Sequence, residues 1–142
     1  MNNIILYVND QENINNLINM NEIPKDKKLV LSKKEILMLI ENKNNTLKDI
    51  GRIEIGKSII DDIVYAFYDS EYIDSDNYFE TINEIISIFY MCQDKFSDYL
   101  IDDEIIKYLR NSFDELGGSL ELISSISFDK LNTRIIYGER NE

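Results

Sequence analysis

The stretch GRIEIGKS, residues 51–58, decides the fold. It fits the pattern G-x-x-x-x-G-K-[ST] of a phosphate-binding loop. In such a loop backbone N–H groups curl around the phosphates, the lysine reaches the β/γ-phosphates, and the Ser or Thr ligates Mg²⁺. That loop leaves a buried parallel strand and opens a helix, so accepting it commits the chain to an α/β sheet. The alternative is a connection between two helices, with Ser58 capping the second, and it leaves the chain all-α.

The surroundings favour the connection. The residues before Gly51, ENKNNTLKDI, are polar and helix-like rather than a run of Val and Ile. Between the glycines stand Arg52, Ile53, Glu54 and Ile55. The β-branched pair resists the positive φ angles of a tight anion nest. Glu54 would set a carboxylate beside the phosphates. The nearest apolar segment that ends in Asp, IVYAFYD at 63–69, lies inside the very helix the loop would open. Alternating strands and helices are absent downstream. A Ser58 cap is worth about 1 kcal/mol to the helix it opens.

Helical periodicity continues outward in both directions. Towards the C-terminus, Ile59, Ile60, Ile63, Val64 and Phe67 recur at helical spacing, with Asp61 at the third position after Ser58. Asn77 and Glu80 then open the strongest helix of the chain. Its stripe is Tyr78, Ile82, Ile85, Phe89 and Cys92, widened by Phe79 and Ile86. The acids of DDE at 102–104 start another, with Ile105, Ile106, Leu109, Phe113 and Leu116 on one face, and Gly117 is placed to end it in a left-handed conformation. A short helix over Ser119–Ser124 follows. The tail SFDKLNTRIIYG, 127–138, reads as a helix or a strand, with helix favoured.

Towards the N-terminus, Ser32 and Glu35 form the capping box S-x-x-E. The helix behind it places Ile36, Leu37, Leu39 and Ile40 on one side and runs to about Asp49, with Leu47 as its last apolar contact. LVL at 29–31 looks extended, and NEIPKDKK breaks the chain. Asp10 caps a weaker helix through Met20 that buries Ile14, Leu17 and Ile18. Ile4–Val8 is either a strand or the start of a helix. With one proline and five glycines, breakers are too sparse for a many-turned β fold. The expectation is one domain, 1–142, an all-α bundle of five to six helices with at most minor short strands near the N-terminus.

Composition bounds the function. The 142 residues include 27 acids and 15 Lys or Arg, a net charge of −12, which disfavours nucleic acid and anionic membrane surfaces. A basic protein partner, or mimicry of DNA towards a basic groove, fits that charge. No stretch approaches a membrane span. The start, MNNIILYVNDQENI, lacks the basic region and long apolar run of a signal peptide. Cys92, the single cysteine, excludes an intrachain disulfide, and the expected compartment is the cytoplasm. The absence of histidine removes Ser-His-Asp and Cys-His catalysis and every His-containing zinc or iron site. Cys92 lies on an apolar stripe and reads as a core thiol.

Two acidic stretches carry the remaining candidates. DSEYIDSDNYFE, 69–80, aligned as a twelve-residue calcium loop, puts Asp69, Glu71 and Glu80 at positions 1, 3 and 12. Ile73 then falls at position 5, and Asp74 replaces the required glycine at position 6. DYLIDDE, 98–104, places its acids where a helix dipole prefers them. No catalytic, cofactor-binding or metal-ligating residue is assigned, and no cofactor is expected. Tyr65, Tyr68, Tyr72 and Tyr78 surround the first acidic turn, and tyrosine suits an interface by joining large area to a polar tip. Tyr68, Asp69, Glu71, Tyr72, Asp74, Asp76 and Tyr78 therefore form the candidate partner surface of a non-enzymatic protein-interaction module. The alternatives are a carboxylate-dependent metal- or nucleotide-binding enzyme using 51–58 or 69–80, and the acidic DNA mimic.

The run from LSKKEI at 31–36 to GGSLELI at 117–123 is similar to an uncharacterised family of small proteins from low-GC Gram-positive bacteria, classed only as a domain of unknown function. FYDSEYID, NYFETINEI and DDEII are its most particular pieces. The resemblance implies no activity and carries no functional residue over. It also implies no phosphate loop at Gly56, Lys57 and Ser58.

Overall fold

A computed structural model describes residues 10–23, 27–54, 58–121 and 123. Five helices follow one another: α1 (Asp10–Met20), α2 (Lys33–Asp49), α3 (Ile60–Phe67), α4 (Tyr78–Phe96) and α5 (Asp102–Glu115). The fold is all-α, and no strand forms among the described residues. Residues 120, 121 and 123 are helical where the short sixth helix was expected. Ile4–Val8 and the 127–138 tail lie outside the described residues.

Helix α4 is the centre of the bundle. It packs against α2, α3 and α5, while α1 covers α2 and α3. Of its predicted stripe Tyr78, Ile82, Ile85, Ile86, Phe89 and Cys92 are buried and Phe79 is half-buried, and Thr81, Ile88, Tyr90 and Phe96 are buried on its other sides. A helix with neighbours around most of its circumference buries far more than a stripe. Cys92 is wholly enclosed there, and burial pushes its thiol up to about 12.

The start of α2 follows the sequence. Ser32 Oγ accepts from Glu35 N–H at 3.0 Å, and Glu35 Oε1 accepts from Ser32 N–H at 2.8 Å. The extended LVL segment buries Leu29 and Leu31 and exposes Val30. It finds its backbone partner in a side chain: Asn21 donates to Leu31 O at 2.7 Å and accepts from Leu31 N–H at 2.9 Å. One amide thus stands in for a neighbouring strand.

Gly51 resolves the GRIEIGKS question. It adopts φ +71°, with Gly51 N–H bonded to Lys48 O and Arg52 N–H to Leu47 O. This is a Schellman closure of α2. The first glycine of the apparent phosphate loop is the terminator of a helix, where a nucleotide site needs the end of a strand. Gly117 closes α5 in the same way, as expected, with φ +66° and a bond from Gly118 N–H to Phe113 O. Ile55, Gly56 and Lys57 lie outside the described residues.

Three local expectations need correction. Helix α3 begins at Ile60, with Ile59 at its N-cap; Ser58 Oγ accepts from Ile60 N–H at 3.4 Å and also bonds with the Tyr90 hydroxyl, so Ser58 sits one place too early to cap the helix. Asn77 does precede α4, but its side chain turns back: it donates to Tyr72 O and accepts from Asp74 N–H. Ile18 is exposed, because the buried face of α1 is set by Asp10, Asn13, Ile14 and Leu17.

Candidate functional site

The expected partner surface is the turn between α3 and α4. Two cations fix it. Arg110, on α5, donates through Nη1 to Asp69 Oδ1 at 2.6 Å and to Ala66 O, and through Nε to Asp114 Oδ2 at 2.8 Å. Burial opposes the Arg110 charge, but its bonds to Asp69 and Asp114 outweigh that cost and raise its pKa. Lys27, from the connection between α1 and α2, donates to the carbonyls of Ser70 and Ile73. Ser70, fully buried, donates to Asp114 Oδ1 at 2.7 Å. Asp74 Oδ1 accepts from the N–H groups of Asp76 and Asn77, closing the turn on itself.

The tyrosines divide. Tyr78 is 3% exposed and belongs to the core, and burial pushes its phenol up to about 12. It drops out of the surface, because as the first residue of α4 it lies on that helix's inner stripe. Tyr68 is half-buried and tilts against the exposed Tyr65 ring at 5.7 Å. Tyr72 is exposed at one edge and meets Phe113 edge-on at 6.4 Å. Its phenol is raised by the neighbouring Glu71 carboxylate. Asp69, Glu71, Asp74 and Asp76 are all exposed, though Asp69 is committed to Arg110.

The calcium-loop alignment has Ile73 at its fifth position, where the pattern needs an oxygen ligand. That side chain is buried in the core. Among the described residues no group of three or more Asp, Glu or Cys side chains gathers where a metal ion would sit.

A second polar cluster was not anticipated. Lys43, on α2, is buried, with Nζ 2.6 Å from Asp10 Oδ1 and 3.8 Å from Glu54 Oε1. Asn44 donates to the other Asp10 oxygen at 3.1 Å. Tyr90 donates its hydroxyl to Glu54 Oε2 at 2.5 Å. Burial, and then Glu54, raise the Tyr90 pKa. The turn that resembled a phosphate loop therefore sends its carboxylate inward, to a lysine and a tyrosine of its own bundle. Asp10, expected as a cap, is instead half of a buried ion pair. A sequence signal existed: Lys43 continues the apolar spacing Ile36, Leu39, Ile40, Leu47.

The fold defines a small all-α protein, and its sequence carries a net charge of −12. The chain belongs to a family of unknown function, DUF6323, whose model matches residues 16–141. No curated protein and no solved structure matches it. Among the described residues no helix is long and apolar enough to cross a membrane.

Proposed function

We propose that the chain acts as a single non-enzymatic interaction module, residues 1–142, which presents the 68–76 turn to a basic protein partner. The supporting observation is the way Arg110 and Lys27 hold that turn from inside while Glu71, Tyr72, Asp74 and Asp76 stay exposed. A turn fixed before binding loses little conformational freedom on association. Its acids then speed encounter with a cationic surface, and the Tyr72 ring slows departure. Bacterial cytoplasm is the setting we propose for this role, and the single enclosed thiol of Cys92 suits a reducing compartment.

The experiment has two stages. A partner recovered with the parent protein is purified, and the pair is measured by surface plasmon resonance. Asp74→Lys with Asp76→Lys should slow association and flatten its salt dependence. Tyr72→Ala should speed dissociation by about tenfold, the scale of an aromatic anchor. Equal kinetics for parent and variants would reduce the turn to a helix connection.

A further inference from the structure

An open groove of about 560 Å³ lies between the first turns of α4 and the chain just beyond α5. Phe79, Glu80, Asn83 and Glu84 line it from α4, and Leu120 and Glu121 complete it. Phe79 and Leu120 are half-buried and pack on the core, whereas Glu80, Glu84 and Glu121 are exposed. The cavity thus joins an apolar part to an acidic one. Both of its walls are anchored. Asn42, on α2, donates to Asn83 O at 2.9 Å and to Asn83 Oδ1 at 3.0 Å. On the other side Gly117 and Gly118 turn the chain at the end of α5, and Ile123, past Glu121, is buried.

The chain itself supplies an occupant. Residues 124–142 follow directly on the segment that lines the groove. Within them Phe128, Leu131 and Ile135 recur at helical spacing, and Lys130 and Arg134 stand one turn apart on the flank of that stripe. Lys130, Arg134 and Arg140 balance Asp129, Glu139 and Glu142, so the net charge of −12 lies wholly in the rest of the chain. A basic flank beside an apolar stripe complements a groove that joins Phe79 and Leu120 to Glu80 and Glu84. The family match continues through residue 141, so this segment belongs to the same unit as the helices. Residues 124–127 can extend about 13 Å, enough to turn back onto a groove that begins at Leu120.

We infer that residues 128–137 dock in this groove as an amphipathic helix, with Phe128, Leu131 and Ile135 against Phe79 and Leu120 and with Lys130 and Arg134 towards Glu80 and Glu84. An amphipathic helix laid into a groove is a recurring mode of recognition. The tether favours this occupant over the same segment of a second copy, because a short linker gives an effective concentration on the order of millimolar. The inference does not rest on the 68–76 turn as a partner surface.

The test is deuterium exchange on the full chain. A free helix of about ten residues is marginal in water, so protection of the 128–137 amides reports docking. The parent should protect them. Glu80→Lys with Glu84→Lys should lower that protection by about tenfold, as should Lys130→Glu with Arg134→Glu. All four changes together should restore it, because the charges again oppose. Glu80 and Glu84 are exposed, so the amides of Ile85 and Phe89 should stay protected in every variant. A second measurement supplies the segment from outside. A fluorescent peptide of residues 124–142 should bind the full chain carrying Phe128→Ser with Leu131→Ser at least tenfold more tightly than the parent, whose groove is filled. Four results would overturn the inference: unprotected 128–137 amides in the parent, protection that ignores the charge reversals, no recovery in the fourfold variant, or equal peptide binding by parent and Phe128→Ser/Leu131→Ser. Protection that appears only as sedimentation shows a dimer forming would instead assign the groove to a second copy.

Discussion

Lys43 Nζ lies 2.6 Å from Asp10 Oδ1, and the two side chains are 4% and 1% exposed. The pair joins α1 to α2 through charge, with Asn44 on the second Asp10 oxygen, beside an apolar contact made by Ile14 and Leu17. A buried ion pair adds little over a well-packed hydrophobic pair, but removing one partner strands the other. Lys43→Met should therefore cost about 3–5 kcal/mol in urea unfolding. Asp10→Leu combined with Lys43→Met should recover most of that loss. A single Lys43→Met that unfolds like the parent would show that water reaches Asp10.

Gly117 and Gly118 separate two kinds of glycine requirement. Both have positive φ, but a Cβ on Gly117 meets open space, whereas one on Gly118 would fall 2.7 Å from Tyr72 Cβ. Gly117→Ala should cost about 1–2 kcal/mol, the ordinary penalty for a left-handed backbone. Gly118→Ala should cost more, and it should also shift Tyr72 off Phe113. The near-ultraviolet circular dichroism, which senses packed aromatic rings, should change for Gly118→Ala and not for Gly117→Ala.

Arg110 acts on one region. Arg110→Ala removes the bonds to Ala66 O, Asp69 and Asp114 together. The turn around 66–74 then keeps the Lys27 clasp and the Ser70–Asp114 bond but loses its charged tie to α5. Limited proteolysis should cut Arg110→Ala within this turn at enzyme concentrations that leave the parent intact. Cleavage elsewhere first would place the weak point outside the α3–α4 connection.

High pH should unfold the protein through its buried acids. Cys92 has its folded pKa raised from 9.0 to about 12, and Tyr78 from 10.0 to about 12. A raised folded pKa means the unfolded chain loses its proton first. The associated stability is whole below pH 9.0, and it falls as pH rises from there to about 12. Each group contributes a slope of up to about 1.4 kcal/mol per pH unit within its own window. Cys92→Val should remove the earliest part of the decline. Below that window the enclosed thiol should resist Ellman's reagent until denaturant is added.

Most of the fold was legible because local signals agreed with the packing. The Ser32–Glu35 box, the glycine stop at 117 and the stripe of α4 each state their outcome in a few residues. What escaped depends on partners distant in sequence. Asp10 reads as a cap until α1 is laid on α2, and Lys43 stands on the apolar spacing of α2 with nothing near it in sequence to name its partner. Glu54 reads as a flaw in a phosphate loop until Tyr90 is beside it. Tyr78 looked like part of an interface because its neighbours in sequence are acids, but its place at the head of α4 turns it inward. The acidic turn itself was visible as composition, whereas its support by Lys27 and Arg110 comes from residues about forty positions away in either direction.

The enclosure of α4 by α2, α3 and α5 sets a hierarchy of opening events. Deuterium reaches an amide only when its hydrogen bond breaks, and the most enclosed bonds break only when the whole molecule does. The amides of Ile85, Ile86 and Phe89 should therefore be the last to exchange, at the rate set by global unfolding. Those of α1, which among the described helices packs mainly on α2 and α3, should exchange earlier through partial opening. The central helix thus serves as an internal gauge, its slowest amides measuring the stability of the entire bundle.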